Sequence, residues 1–141
     1  MTRDIDIIIN LSVADIDKFA SIFKEGYYIY KDGIKEEVNR QGMFNIIDFD
    51  SGQKVDFIIL KNTDFHLSEF KRRKQVMFYG FPVWVVSLED LIIAKLIWIQ
   101  IIQSENQMKD ISNLFSVSPV DKKYINDWVK KMNLKTFNLL K

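Results

Sequence analysis

The sequence predicts an α+β fold, a small mixed β-sheet followed by a C-terminal helical cluster. Three observations lead there. Residues 3–10 alternate Asp4, Asp6 and Ile8 against Ile5, Ile7 and Ile9, the period-two signature of a strand. Two β-rich runs within 43–60 flank Asp50-Ser51-Gly52-Gln53, the composition of a hairpin turn. From Ser87 onward the apolar period turns helical, over 87–102, 105–115 and 121–132.

The remaining elements fill the order. Residues 12–26 read as a helix, with Ser12 as N-cap, Asp15 three residues on, a stripe of Ile16, Phe19, Ala20 and Phe23, and Gly26 as the stop. A weaker helix is expected over 32–42 and a short one over 65–74. "QVMFYG" and "PVWVVS" suggest two short strands around Gly80–Pro82. In "SLEDLIIAKLIWIQII", Ser87 is the N-cap and Asp90 the third helical residue, a capping-box variant. Apolar residues run round that helix, so burial on most sides is expected. No repeat, low-complexity tract or linker interrupts the chain. It therefore reads as a single domain, 1–141, with a sheet part at 1–86 and a helical part at 87–141.

Composition narrows the function classes. The 141 residues suffice for one domain with a real core. Twenty Lys plus Arg against nineteen Asp plus Glu leave a formal charge of +1, so nucleic acid would have to be met by a local patch. Without cysteine there is no disulfide, thiolate metal site or cysteine nucleophile. With His66 as the single histidine, a histidine-built zinc site is excluded too. "MTRDID" is unlike a signal peptide, and "LIIAKLIWIQII" (91–102) is too short to span a bilayer. A cytoplasmic protein with no membrane partner is expected.

The acids carry the chemistry. Asp4 and Asp6 share one face of their strand. Alone, such a pair is a weak signal, since acids at strand ends are usually solvated. Asp56 is different, standing between Val55 and "FIIL" in a run that reads as a central strand. Burial and like-charge repulsion both act against a carboxylate there. A divalent cation reverses both penalties, because Mg²⁺ is held by one or two carboxylates together with substrate phosphates.

"TRDIDIII", "FNIID", "KVDFIIL", "FKRRKQVMFYGFPVWVVSLEDLIIAKL" and "QMKDISNL", in this order, resemble the nucleotidyltransferase superfamily (the DNA polymerase β-like fold). The resemblance covers nearly the whole chain and is nearest to small bacterial proteins related to AbiEii-type toxins. It implies a site of two Mg²⁺ ions with Asp4, Asp6 and Asp56 as ligands. Asp56 would also help activate the attacking hydroxyl. The implied reaction moves a nucleoside monophosphate from an NTP to a hydroxyl of an RNA, protein or other acceptor, releasing pyrophosphate. Arg3 and Lys95 are the implied contacts to the nucleotide. A catalytically dead binding module, one half of a toxin–antitoxin or regulatory pair, is the alternative. A coincidental α+β domain with acids at a strand edge is the blander one.

One family element is missing. A Gly-Gly or Gly-Ser turn precedes the first aspartate in the family, whereas here Met1, Thr2 and Arg3 stand before Asp4 and all five glycines are isolated. A start assigned too late, a degenerate relative, or a partner that supplies the turn would each account for it; the intact Arg3 and aspartates favour the first. Uncovered apolar surface should then promote association, with a homo-oligomer or a partner protein. Among secondary candidates, Lys95 is either a snorkelling lysine or a phosphate contact, and Asp110 is placed to pair with it. The run 71–74 in "EFKRRK" is either a solvated face or a phosphate-holding one. His66 is expected to be exposed and chemically idle. Trp84, Trp98 and Trp128 are expected in the core or as groove walls.

Overall fold

The computed structural model describes residues 5–23, 25–117 and 119–141. Its class is α+β, and the chain divides into two compact units, 1–67 and 68–141. Among the described residues no helix is long and apolar enough to cross a membrane.

In the first unit, strands β1 (Ile5–Ile9), β2 (Tyr27–Tyr28), β3 (Met43–Asp48) and β4 (Lys54–Ile59) form a mixed sheet in the order β1-β4-β3-β2. β1 runs parallel to β4, and the other pairs are antiparallel. The register aligns Ile7 with Phe57, Ile9 with Ile59 and Phe44 with Phe57, so the alternation puts these apolar side chains on one face. That face belongs to a core with Leu11, Ile16, Phe19 and Ile34. Phe57 lies at its centre, edge-on to Phe19 at 5.3 Å and stacked on Phe44 at 5.3 Å, and each such ring pair adds about 0.5–1.5 kcal/mol to the burial of its area. Ile5 and Ile7 on β1 stay about half exposed.

The expected helix over 12–26 is shorter in the structure. A 3₁₀ turn at Val13–Asp15 leads into α1 (Ile16–Ala20). Ser12 does not cap; its hydroxyl donates to the Asp15 carboxylate instead, 2.5 Å away. At the other end the chain leaves the helix to form β2, where the Gly26 carbonyl accepts from Phe49 N at 2.8 Å and Tyr27 pairs with Asp48. Past Ala20 the helical ladder tightens into turns, with Ile22 N and Phe23 N donating to the Phe19 and Ala20 carbonyls at 3.1 and 3.2 Å. α2 (Lys31–Arg40) matches its expected position, and Gln41, in the left-handed region at φ 52°, ends it. The β3–β4 turn falls where expected, with the Asp48 carboxylate accepting from the Ser51 amide and hydroxyl and Gly52 at φ +67°.

The boundary between the units falls within α3 (Asp64–Arg72). In the second unit, β5 (Lys74–Phe78) and β6 (Phe81–Val85) make a hairpin, as "QVMFYG" and "PVWVVS" suggested. Its turn residues Tyr79 and Gly80 both have positive φ, 46° and 82°, the twist that matches a two-residue loop to its strands. The hairpin thus shares a unit with α4 (Leu88–Ile99), α5 (Glu105–Val117) and α6 (Lys122–Lys131). α4 packs against both later helices with a fully buried stripe of Ile92, Ile93, Leu96 and Ile99. It is not buried all round. Trp98, like Trp84 on β6, is more than half exposed, because the buried stripe occupies the other side of the helix.

The start of α4 carries a buried polar network. Ser87 caps as expected, accepting from Asp90 N at 3.2 Å and donating to Asp90 Oδ2 at 2.6 Å. Asp90 has no exposed surface. Its Oδ2 also accepts from Arg72 Nε at 3.0 Å and its Oδ1 from the Tyr124 hydroxyl at 2.7 Å. The Arg72 guanidinium lies 4.0 Å over the Tyr124 ring. Glu69 is buried in the same unit, and burial, reinforced by the charge of Asp90, pushes its carboxyl from 4.5 up to about 7.

That shift predicts a pH dependence. Below about pH 4.5 Glu69 is protonated in both folded and unfolded chains and costs nothing. Between 4.5 and about 7 the native state keeps a proton that the unfolded chain has released, so stability falls as pH rises. Above 7 the cost is complete, at most about 3 kcal/mol. Urea unfolding at pH 5 and pH 8 should show this loss in the wild type, and Glu69→Gln should flatten it. An unchanged slope in the variant would assign the dependence to another group.

Candidate functional site

The parallel pairing of β1 with β4 sets Asp6 directly opposite Asp56. Neighbouring strands lie about 4.8 Å apart and paired residues share a face, so the two acids stand side by side. On the other side of Asp56, β3 places Asn45 in the same row. This polar row crosses three strands on the face opposite Phe44, Phe57 and Ile59. Asp6 and Asn45 are exposed, whereas Asp56, on the inner strand, is 7 % exposed.

The environment of Asp56 is asymmetric. Oδ2 lies 3.0 Å from Lys54 Nζ, which i, i+2 spacing brings to the same face. Oδ1 is buried and has no hydrogen-bond partner among the described residues. A buried oxygen left in that state costs about 1–3 kcal/mol, more when charged. An oxygen-seeking divalent cation is the ligand chemistry that such an atom beside a second carboxylate suits. Asp6 and Asp56 are the two described carboxylates that could hold such an ion. Among the described residues no group of three or more His, Cys, Asp or Glu gathers as a metal cluster. The third expected ligand, Asp4, and the expected nucleotide contact Arg3 lie outside the described residues.

Lys95, the other expected nucleotide contact, belongs to the second unit on α4. Its ammonium donates to Gln107 Oε1 at 3.0 Å and Asp110 Oδ2 at 3.2 Å. The anticipated pairing with Asp110 is present. The basic run 71–74 is not a uniform charged face. Arg72 is engaged by Asp90, and Arg73 lies over the Phe70 and Trp84 rings, while Lys71 and Lys74 are exposed. His66 is half-buried rather than exposed, with Nδ1 2.7 Å from Thr63 Oγ1. Burial, and then the charge of Lys61, lower its pKa.

Two residues of this face, Lys54 and Asn45, were not anticipated. Lys54 carried a legible signal, its i, i+2 relation to Asp56. Asn45 enters only through the β3–β4 register. Comparison of the chain with protein-family models, curated proteins and solved structures finds no match.

Proposed function

We propose that this chain is a Mg²⁺-dependent, nucleotidyltransferase-like cytoplasmic protein that moves a nucleoside monophosphate from an NTP to an acceptor hydroxyl. One observation carries the reading: the buried Asp56 keeps an oxygen that has no partner among the described residues, on a strand register that puts Asp6 beside it. A purely structural role gives no reason to bury that atom unsatisfied. Asp6 and Asp56 would hold the cation, with Asp4 as the third ligand of the family pattern. An ion held there would supply charge neutralisation to the reacting groups. In the reaction the acceptor oxygen bonds to the α-phosphorus, the bond to the pyrophosphate oxygen breaks so that pyrophosphate leaves, and the hydroxyl proton passes to Asp56 or to solvent. The lone pairs of Asp56 serve that step as ion ligand or as proton acceptor. NTP and a hydroxyl-bearing RNA or protein are the partners this chemistry needs.

The second reading is a binding module that retains the fold without turnover. The ion pair to Lys54 favours it, because an ammonium already compensates one oxygen of Asp56. Calorimetry with the magnesium complexes of ATP, GTP, CTP and UTP tests the site. Metal-dependent micromolar binding that is lost in Asp6→Asn/Asp56→Asn is expected. Binding without pyrophosphate release on any acceptor would select the module, and no binding at millimolar nucleotide would remove both.

A further inference from the structure

We infer that Lys54 is a built-in counter-ion to Asp56 which an incoming divalent cation must displace, thereby setting the site's metal affinity. The inference rests on the cation site proposed above. It starts from the strand. Lys54 and Asp56 are i and i+2 on β4, so their shared face follows from the strand itself. Nζ lies 3.0 Å from Oδ2.

The two partners differ in what separation would cost them. The Lys54 side chain is 41 % exposed and that of Asp56 only 9 %. An ammonium on a flexible four-carbon stem returns to water easily. The aspartate, fixed on an inner strand and with no partner at Oδ1 among the described residues, would be left as a poorly compensated buried charge. The pair therefore opens cheaply only when another cation takes the place of the ammonium. A divalent ion brings twice the charge and reaches the second oxygen as well, so exchange is favourable. The affinity is nevertheless lower than for a site with no resident cation, because each binding event breaks the ion pair. Lys54 also protects the apo sheet, since without it both oxygens of Asp56 would stand unneutralised.

The test uses the full chain without nucleotide and Mn²⁺ as the probe, followed by calorimetry and by the loss of its free-ion electron paramagnetic resonance signal. Lys54→Met keeps the stem and removes the charge. It is expected to bind Mn²⁺ roughly fivefold more tightly than wild type, the change that relief of one partly exposed ion pair gives. It should also melt at a lower temperature in chelator and gain more from added Mn²⁺, and Asp56→Asn should abolish binding in either background. Lys54→Gln should move both readouts the same way, which guards against a packing artefact in a single variant. Binding by Lys54→Met with none by wild type would support the inference outright. If wild type binds Mn²⁺ through Asp56 and the Lys54 variants bind equally or more weakly, Lys54 is no competitor; the inference then falls while the cation site stands. If neither wild type nor the Lys54 variants bind Mn²⁺ through Asp56, the site falls and the inference with it.

Discussion

Asp90→Ala is expected to destabilise the second unit by about 3–5 kcal/mol, the range for removing one partner of a buried ion pair. The side chain is wholly buried and accepts from three donors, Ser87, Arg72 and Tyr124. Truncation leaves the tyrosine hydroxyl and the serine hydroxyl without their acceptor and Arg72 without its counter-charge. Arg72 keeps 40 % of its side chain exposed, so water recovers part of its loss, which places the destabilisation toward the lower end. Asp90→Asn keeps an acceptor for one or two of these donors and should cost roughly half as much. Because a domain's whole stability is about 5–15 kcal/mol, the alanine variant should show a large fall in urea midpoint by circular dichroism. Relief of its repulsion on Glu69 should also move that group's pH window downward. A loss under 1 kcal/mol would mean that the network is solvated and has no structural weight. Arg72→Ala combined with Asp90→Ala in a double-mutant cycle would isolate the pair itself.

How much of this could be read from residues alone differs from element to element. α2, the β3–β4 hairpin and the α4 cap rest on local period and turn chemistry, and each stands close to its expected place. β2 is two tyrosines long, too short for any period, and exists because β3 offers it an edge; the helix expected over 12–26 ends earlier, in turns at Ile22 and Phe23. Trp84 and Trp98 show the limit of hydrophobicity as a guide: it marks a residue as suited to the core without saying which side of an element faces inward. The polar network illustrates another limit. The Ser87–Asp90 cap is local and legible, while Arg72 and Tyr124 reach Asp90 across 18 and 34 residues, and no spacing rule encodes that. For the acids, alternation gave the face of Asp6 within its own strand. Its alignment with Asp56 needs the parallel β1–β4 pairing, which spans some fifty residues and follows from topology.

Asp56→Val is expected to separate function from stability, moving them in opposite directions. Valine suits an inner strand, and the substitution removes a half-satisfied buried carboxylate; the Lys54 side chain, 41 % exposed, can hydrate. In chelator the first unit should therefore gain about 1–3 kcal/mol, the cost of the unsatisfied group. Metal-linked stabilisation should vanish, against a wild-type gain of about 2.7 kcal/mol when the ion stands at a hundred times its dissociation constant. The proposed nucleotidyl transfer, followed as pyrophosphate release, should fall at least about 10³-fold, since loss of one preorganised electrostatic contact alone is worth about 10²–10³ and here the ion's position is lost as well. Asp56→Asn should lose the same activity with a smaller gain in stability, because the amide remains a buried polar group. The sign of the stability change is the decisive reading. A carboxylate retained for its packing or its ion pair would make both variants less stable, with or without metal, and the proposed site would then have no basis. A carboxylate retained at the expense of its own strand is one kept for a ligand.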